Sequence, residues 1–144
     1  MFWKVSALLS ESQLFENSEF KIRKPPMPEL FSESLCCLSL GLYHCQNKNP
    51  DAFELITGKL YPVEIKATTT ENGFQEIKNE NYHFLYWIDL FQMAKLEYTI
   101  YKFDKETINN ALQSKKTKKI NLRKLINDQT RPVYKGKLGI VEIY

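Results

Sequence analysis

Two short apolar runs on either side of a glycine-containing turn constrain the fold of this chain most strongly. The runs span 52–56 and 60–67, and Thr57-Gly58-Lys59 lies between them. Strand-forming segments of this length, joined by a turn of this composition, predict an antiparallel β-hairpin. The chain can therefore be expected to contain at least one well-defined pair of neighbouring strands.

The register of this hairpin determines which side chains meet. A two-residue turn at Thr57 and Gly58 would set Asp51 directly opposite Glu64, and directly opposed side chains share a face. Because side chains alternate along a strand, Lys66 would lie on the same face, one pleat beyond Glu64. A three-residue loop would instead shift the pairing by one residue and weaken the direct opposition.

Two carboxylates on one face of a hairpin have a chemical consequence. At about 5 Å they repel each other, so the arrangement is costly unless a cation lies between them. Mg²⁺ prefers oxygen ligands and usually retains several waters, which suits a site of two or three carboxylates and a substrate phosphate. A neighbouring lysine could orient or help to deprotonate a water, or stabilise charge on the phosphate.

The rest of the chain predicts a single α/β domain over 1–144, with a central mixed sheet flanked by helices. Leu30 and Leu38 belong to the broad apolar face expected for the second helix, and Asp104 is a suitable N-cap for the third. The predicted elements, in chain order, are helices over 2–16 and 28–43, the hairpin, a polar loop over 68–81 with a helical turn near residue 75, strands over 82–90 and 96–103, a helix over 104–113, a short helix near 122–126 and a final strand over 139–144.

Other features argue against several protein classes. No apolar stretch approaches the roughly 20 residues that span a bilayer, and no secretory signal is visible, so a cytoplasmic protein is expected. Cys36, Cys37 and Cys45 form neither a disulfide framework nor a zinc spacing, and buried free thiols on a helix are expected. His44 is expected at a helix end, and His83 in the core. The glycine-rich phosphate-binding motifs are missing from the sequence.

Positive charge is concentrated late in the chain. Residues 115–137 carry nine lysines and arginines against one acid, Asp128. Such a block can be a solvated face or the footprint of a polyanion, and the polar stretch after Lys66 could add hydrogen-bond donors. Arginines could also contact guanine bidentately. The candidate DNA contacts are Thr68, Thr69, Gln75, Lys118, Lys119, Arg123 and Arg131.

The motif itself resembles a known superfamily. Pro50-Asp51, twelve residues and then Glu64-x-Lys66 in a hairpin after a helix is similar to the PD-(D/E)xK nuclease motif. The stretch 28–41 together with Glu64-Ile-Lys-Ala-Thr resembles small type II restriction endonucleases. The resemblance implies a restriction-endonuclease-like core, with Asp51 and Glu64 as Mg²⁺ ligands and Lys66 serving the water or the phosphate.

The resemblance also implies a further acidic residue. In this superfamily a glutamate from the preceding helix often joins the metal site. Glu29 and Glu33 are candidates, and Glu33 is preferred because Ser32 and Ser34 place it on a polar strip of the helix. Glu33 would be an outer or a direct ligand of the metal.

The expected function is Mg²⁺-dependent cleavage of double-stranded DNA at a short specific site. A palindromic site contacted by one small domain would require a homodimer, and the host would need a cognate DNA methyltransferase. A structure-selective nuclease, such as a junction resolvase or a repair endonuclease, is the alternative within enzymes. A non-catalytic DNA- or RNA-binding module is the alternative outside them, and would leave the spacing of Asp51, Glu64 and Lys66 as coincidence. In the structural alternative to a metal site, Asp51 is a turn residue and Glu64 and Lys66 are an exposed strand pair.

Overall fold

A computed structural model describes residues 29–45, 49–92, 95–113 and 115–138. The predicted helix over 2–16 and the predicted strand over 139–144 lie outside these ranges. The elements, in chain order, are α1 (Glu29–Leu40), β1 (Tyr43–His44), β2 (Ala52–Ile56), β3 (Lys59–Thr68), β4 (Phe74–Glu76), β5 (Phe84–Asp89), β6 (Glu97–Asp104), α2 (Lys105–Leu112), β7 (Lys119–Asn121), a 3₁₀ helix (Leu122–Leu125) and β8 (Tyr134–Lys137).

Six of these strands form one sheet in the order β1-β2-β3-β5-β6-β8. The β3–β5 pair is parallel, and every other neighbouring pair in this sheet is antiparallel. Strands β4 and β7 form a separate two-stranded sheet. The predicted α/β class with a central mixed sheet is therefore confirmed. None of the helices in the described ranges has the length and apolar character needed to cross a bilayer.

The β2–β3 hairpin has the predicted register. Ala52 pairs with Val63, and Ile56 pairs with Lys59. Thr57 and Gly58 both have positive φ, at 48° and 77°, which is the backbone geometry of a type I′ turn. The turn thus contains two residues, and its twist matches that of the flanking strands.

Apolar side chains cover both faces of the sheet. Ile65, Ile88 and Cys36 belong to a core cluster on the α1 side. Trp87 and Ile108 belong to a second cluster on the α2 side. Since side chains alternate along β3, a residue next to Ile65 faces away from the α1 side. In the second half of β3, Glu64, Lys66 and Thr68 therefore lie on the opposite face from Val63, Ile65 and Ala67.

Helix α1 differs from the prediction in two respects. It ends at Leu40, because Gly41 has φ of 68° and the chain then enters β1. Leu30 and Leu38, expected on the buried face, are 66% and 84% exposed. The buried residues of α1 are Ser32, Cys36 and Cys37, because this face packs against the sheet.

The cysteine and histidine expectations are met in part. Cys36 and Cys37 are buried free thiols on α1, as predicted, and burial raises the pKa of both thiols. Cys45 is partly exposed and follows β1 instead of lying on the helix. His44 lies on β1. The expectation of a core histidine at His83 is wrong, because this side chain is exposed just before β5.

Long-range strand pairing accounts for the remaining differences. The helical turn predicted near residue 75 is instead β4, which pairs with β7. Strand β8, inside the basic block, was not predicted, and it pairs with β6. A Cβ added to Gly136 would lie 2.2 Å from the Tyr98 ring, so this β8 position requires glycine. The strands β5 and β6, the Asp104 N-cap and the short helix near 122–126 are confirmed.

Candidate active site

Asp51 lies immediately before β2, where the hairpin ladder ends. Its Oδ2 accepts a hydrogen bond from the backbone amide of Ile65 at 2.8 Å. Ala52, the first residue of β2, pairs with Val63 of β3. The Asp51 carboxylate therefore adds a hydrogen bond to β3 beyond the end of the β2–β3 ladder. Asp51 is 8% exposed, and the bond holds its side chain at the segment that carries Glu64.

Glu64 and Lys66 meet on one face of β3, as the alternation predicted. Glu64 Oε1 lies 3.1 Å from Lys66 Nζ. Glu64 Oε2 accepts a hydrogen bond from Asn79 Nδ2 at 2.9 Å. Glu64 is 6% exposed, so the pair is not the exposed strand pair of the alternative interpretation.

Asn79 was not among the predicted site residues. Its Oδ1 accepts a hydrogen bond from the backbone amide of Asn81 at 2.9 Å, which fixes the orientation of the side-chain amide toward Glu64. The residue lies in an irregular segment between β4 and β5. A polar loop residue of this kind gives no periodic signal in the sequence, so only the tertiary structure reveals its contact.

Helix α1 brings Glu33 to the same region. Glu33 Oε2 lies 3.0 Å from His44 Nε2 on β1. Glu29, one helical turn earlier, lies on the same side of α1. Both glutamates line one cavity of about 440 Å³ together with Asp51, Glu64 and Lys66. The structure thus brings together the four predicted catalytic residues, which come from α1, the β2 edge and β3.

The electrostatics of this cavity favour a cation. The pKa of Asp51 is raised to about 7, mainly by burial and also by the nearby charges of Glu64 and Glu33, although the Ile65 amide and Lys66 act in the opposite direction. A carboxyl group with this pKa shift indicates crowded negative charge in a partly desolvated site. A bound divalent cation would relieve that repulsion.

The donor set fits Mg²⁺ better than a softer metal. The available groups are carboxylate oxygens, which are the ligands that hard cations prefer. No group of three His, Cys, Asp or Glu side chains in the described ranges is arranged to hold a metal ion. Two carboxylates with waters and a substrate phosphate suit Mg²⁺, which rarely uses an all-protein cage.

Two of the residues predicted to contact DNA have side-chain partners within the protein: Thr68, which is buried, and Arg123, which is half-buried. Thr68 is 5% exposed, and its hydroxyl accepts a hydrogen bond from Trp87 Nε1 at 2.9 Å. Arg123 donates to both carboxylate oxygens of Asp89, at 2.6 and 2.9 Å, and lies 5.1 Å from the Trp87 ring. Internal partners thus engage both side chains, and DNA contact by Thr68 and Arg123 stays a prediction.

The other predicted DNA contacts lie in different places. Thr69 and Gln75 line the carboxylate cavity, and Gln75 Nε2 donates to the carbonyl of Ala67 at 2.9 Å. Lys118 Nζ lies 3.5 Å from a carboxylate oxygen of Glu80, and Lys119 is exposed on β7. Arg131 is exposed, and it donates to the carbonyl of Asp128 at 2.8 Å.

The fold and the site together define a class of protein: an α/β domain with a restriction-endonuclease-like core, in which a hairpin and the preceding helix carry a cluster of carboxylates and one lysine. The family model described as Bsp6I restriction endonuclease matches residues 12–139. The chain belongs to this restriction endonuclease family, which is a family of nucleases. The matched region includes α1, the hairpin and every other described element. No curated protein matches the chain.

Proposed function

We propose that this protein is a Mg²⁺-dependent type II restriction endonuclease that hydrolyses phosphodiester bonds of double-stranded DNA at a short specific site. Family membership supports the general class. The observation that carries the proposal is the meeting of buried Asp51 and Glu64 with Lys66 in one cavity. This combination matches the needs of metal-assisted phosphodiester hydrolysis.

The residues have separate proposed roles. Asp51 and Glu64 would hold Mg²⁺, which when bound acidifies a water and stabilises charge on the phosphate. Lys66 would orient the attacking water or stabilise the negative charge that develops on the phosphate. Glu33, whose carboxylate is engaged by His44, would act from the outer side of the site. His44 would then be a positioning residue for Glu33.

The biological setting follows from the reaction. A small domain that binds a palindromic site acts as two copies related by a twofold axis, so the proposed form on DNA is a homodimer. A site-specific nuclease would also cut its host's DNA. A cognate methyltransferase that protects the same site is therefore the proposed functional partner.

The experiment is incubation of the protein with unmethylated phage DNA in Mg²⁺ or in EDTA. The proposal predicts discrete fragments in Mg²⁺, one shared sequence at the mapped ends and no cutting in EDTA. A four-way DNA junction of unrelated sequence serves as a second substrate. Cutting of the junction without cutting of the duplex would replace the restriction role by structure-selective cleavage, and binding without any cutting would leave a non-catalytic module.

A further inference from the structure

A basic groove lies beside the candidate active site, along α2. We call it the α2 groove, and it encloses about 640 Å³. Lys105 on α2 and Lys115, Lys116 and Lys118 after it line this groove. Glu80 is the one acidic side chain among the described residues that line it. The surface therefore carries an excess of positive charge.

The α2 groove is continuous with the catalytic carboxylates. Asn79, Glu80 and Lys118 line the groove and also a neighbouring cavity of about 640 Å³ that includes Glu64. Asn79 additionally contacts Glu64 through its 2.9 Å hydrogen bond. A chain of phosphates that passes Glu64 could thus continue into the groove without crossing the sheet.

Part of the groove is held in place by internal contacts. Lys105 Nζ donates to the carbonyl of Glu80 and lies 5.4 Å from the centre of the Tyr82 ring. Lys118 Nζ lies 3.5 Å from the Glu80 carboxylate. These contacts fix the segment before β5 against α2, so the groove has a defined wall.

Lys115 and Lys116 are in a different situation. Both are exposed, and neither has an acidic partner within 4 Å in the part of the chain that the structure describes. Unpaired cations that border a groove attract a polyanion, and the amide side chains of Asn109 and Gln113 supply neutral donors beside them. This combination is typical of surfaces that bind a phosphate backbone.

The second half of the basic block lies elsewhere. Arg123 is bound to Asp89, as described above. Lys135 and Lys137 lie on β8, an edge strand that β5 and β6 separate from β3. The block that is continuous in the sequence is therefore divided in space, and its first part borders the carboxylate site.

We propose that the α2 groove binds the phosphodiester backbone of duplex DNA next to the phosphate that is cleaved. Lys115 and Lys116 neutralise phosphates in it, and Asn109 and Gln113 donate hydrogen bonds to phosphate oxygens. The inference rests on the proposed function, because it names the surface that delivers DNA to that site. Contacts of this kind position the duplex and do not distinguish sequences.

The test compares two variants with the same change in charge. K115A/K116A removes two exposed lysines at the groove, and K135A/K137A removes two exposed lysines from β8. Binding of a short fluorescent duplex is measured by anisotropy in EDTA, over a series of salt concentrations, so that no strand is cut. The groove variant should bind roughly tenfold more weakly, with a salt slope lower by about 2, while the β8 variant stays within about twofold.

Other results would overturn the inference. Equal weakening in both variants would indicate a diffuse effect of net charge, and unchanged binding by K115A/K116A would exclude the groove. K115E/K116E provides a second check, because the reversed charge should abolish DNA binding while the melting temperature stays the same as that of the wild type. Binding is measured without cleavage, so a protein that binds duplex DNA but never cuts it would contradict the proposed function and leave the groove supported.

Discussion

The carboxylate of Asp51 accepts a hydrogen bond at 2.8 Å from the backbone amide of Ile65, the residue between Glu64 and Lys66. One bond therefore ties the residue before β2 to the segment of β3 that carries the other two polar side chains. The arrangement depends on the two-residue turn at Thr57 and Gly58, which sets the register of the whole hairpin. Insertion or deletion of one residue in that turn would shift the register and move these groups apart.

Removal of the charge on Asp51 should lower the rate of DNA cleavage without lowering the stability of the fold. Asp51→Asn retains an oxygen that can accept the bond from Ile65, but it cannot bind a cation as a carboxylate does. We expect the rate of DNA cleavage to fall by roughly 100-fold or more, which is the scale seen for other catalytic groups. The melting temperature measured without metal should not decrease. Single-turnover cleavage and thermal melts check this, and wild-type cleavage by the variant would contradict it.

The stability of the metal-free protein should depend on pH through Asp51. Its folded-state pKa of about 7 lies above its ordinary value of 3.8. A raised pKa in the folded state stabilises the protein fully at pH values below 3.8, and this contribution is lost as the pH rises through about 7. In EDTA, the free energy of unfolding of the wild type should therefore fall relative to that of Asp51→Asn as the pH rises from 4 to 8. A difference between the two proteins that stays constant from pH 4 to pH 8 would contradict the account.

Asn79 should act as a positioning residue for Glu64. Asn79→Ala removes the 2.9 Å bond to Glu64 Oε2, and we expect kcat to fall by about tenfold with little change in KM for DNA. The Mg²⁺ concentration for half-maximal rate should also rise. Asn79→Asp should be more impaired than Asn79→Ala, because it places a second carboxylate against Glu64. Equal Mg²⁺ dependence in all three proteins would show that the contact is structural.

Arg123 should matter for stability and not for DNA binding. Its guanidinium binds both oxygens of Asp89, a fork that lysine cannot reproduce. Arg123→Lys should therefore lower the free energy of unfolding by about 1 to 3 kcal/mol. The neighbouring exposed Lys124, changed to Ala, is the matched control and should leave the free energy of unfolding unchanged. Weaker DNA binding by folded Arg123→Lys, without a loss of stability, would contradict this assignment.

Local signals account for the parts of the fold that the sequence predicts correctly. The turn at Thr57 and Gly58 and the alternation along β3 are sufficient to place Asp51, Glu64 and Lys66 together, because each relation spans a few residues of one hairpin. Asp104 likewise marks the start of α2, where its side chain accepts a hydrogen bond from the Thr107 amide.

Long-range contacts explain what the sequence does not predict. Strands β4 and β7 pair across a large separation, and both are three residues long, so neither has a clear alternating pattern. Arg123 meets Asp89 from 34 positions away, and nothing in the local composition distinguishes it from a solvent-exposed cation. The contact of Asn79 with Glu64 depends on the same kind of tertiary placement.

A matched pair of tripeptides tests the central claim most directly. The chain contains Glu-Ile-Lys twice, at 64–66 and at 76–78, and the second pair is largely exposed, with 3.7 Å between Glu76 and Lys78. Cleavage of phage DNA in Mg²⁺ is measured for wild type, Glu64→Gln and Glu76→Gln at equal concentrations. The account predicts fragments from wild type and Glu76→Gln, and none from Glu64→Gln although this variant still binds duplex DNA. Undiminished cutting by Glu64→Gln would show that the hairpin is not the active site.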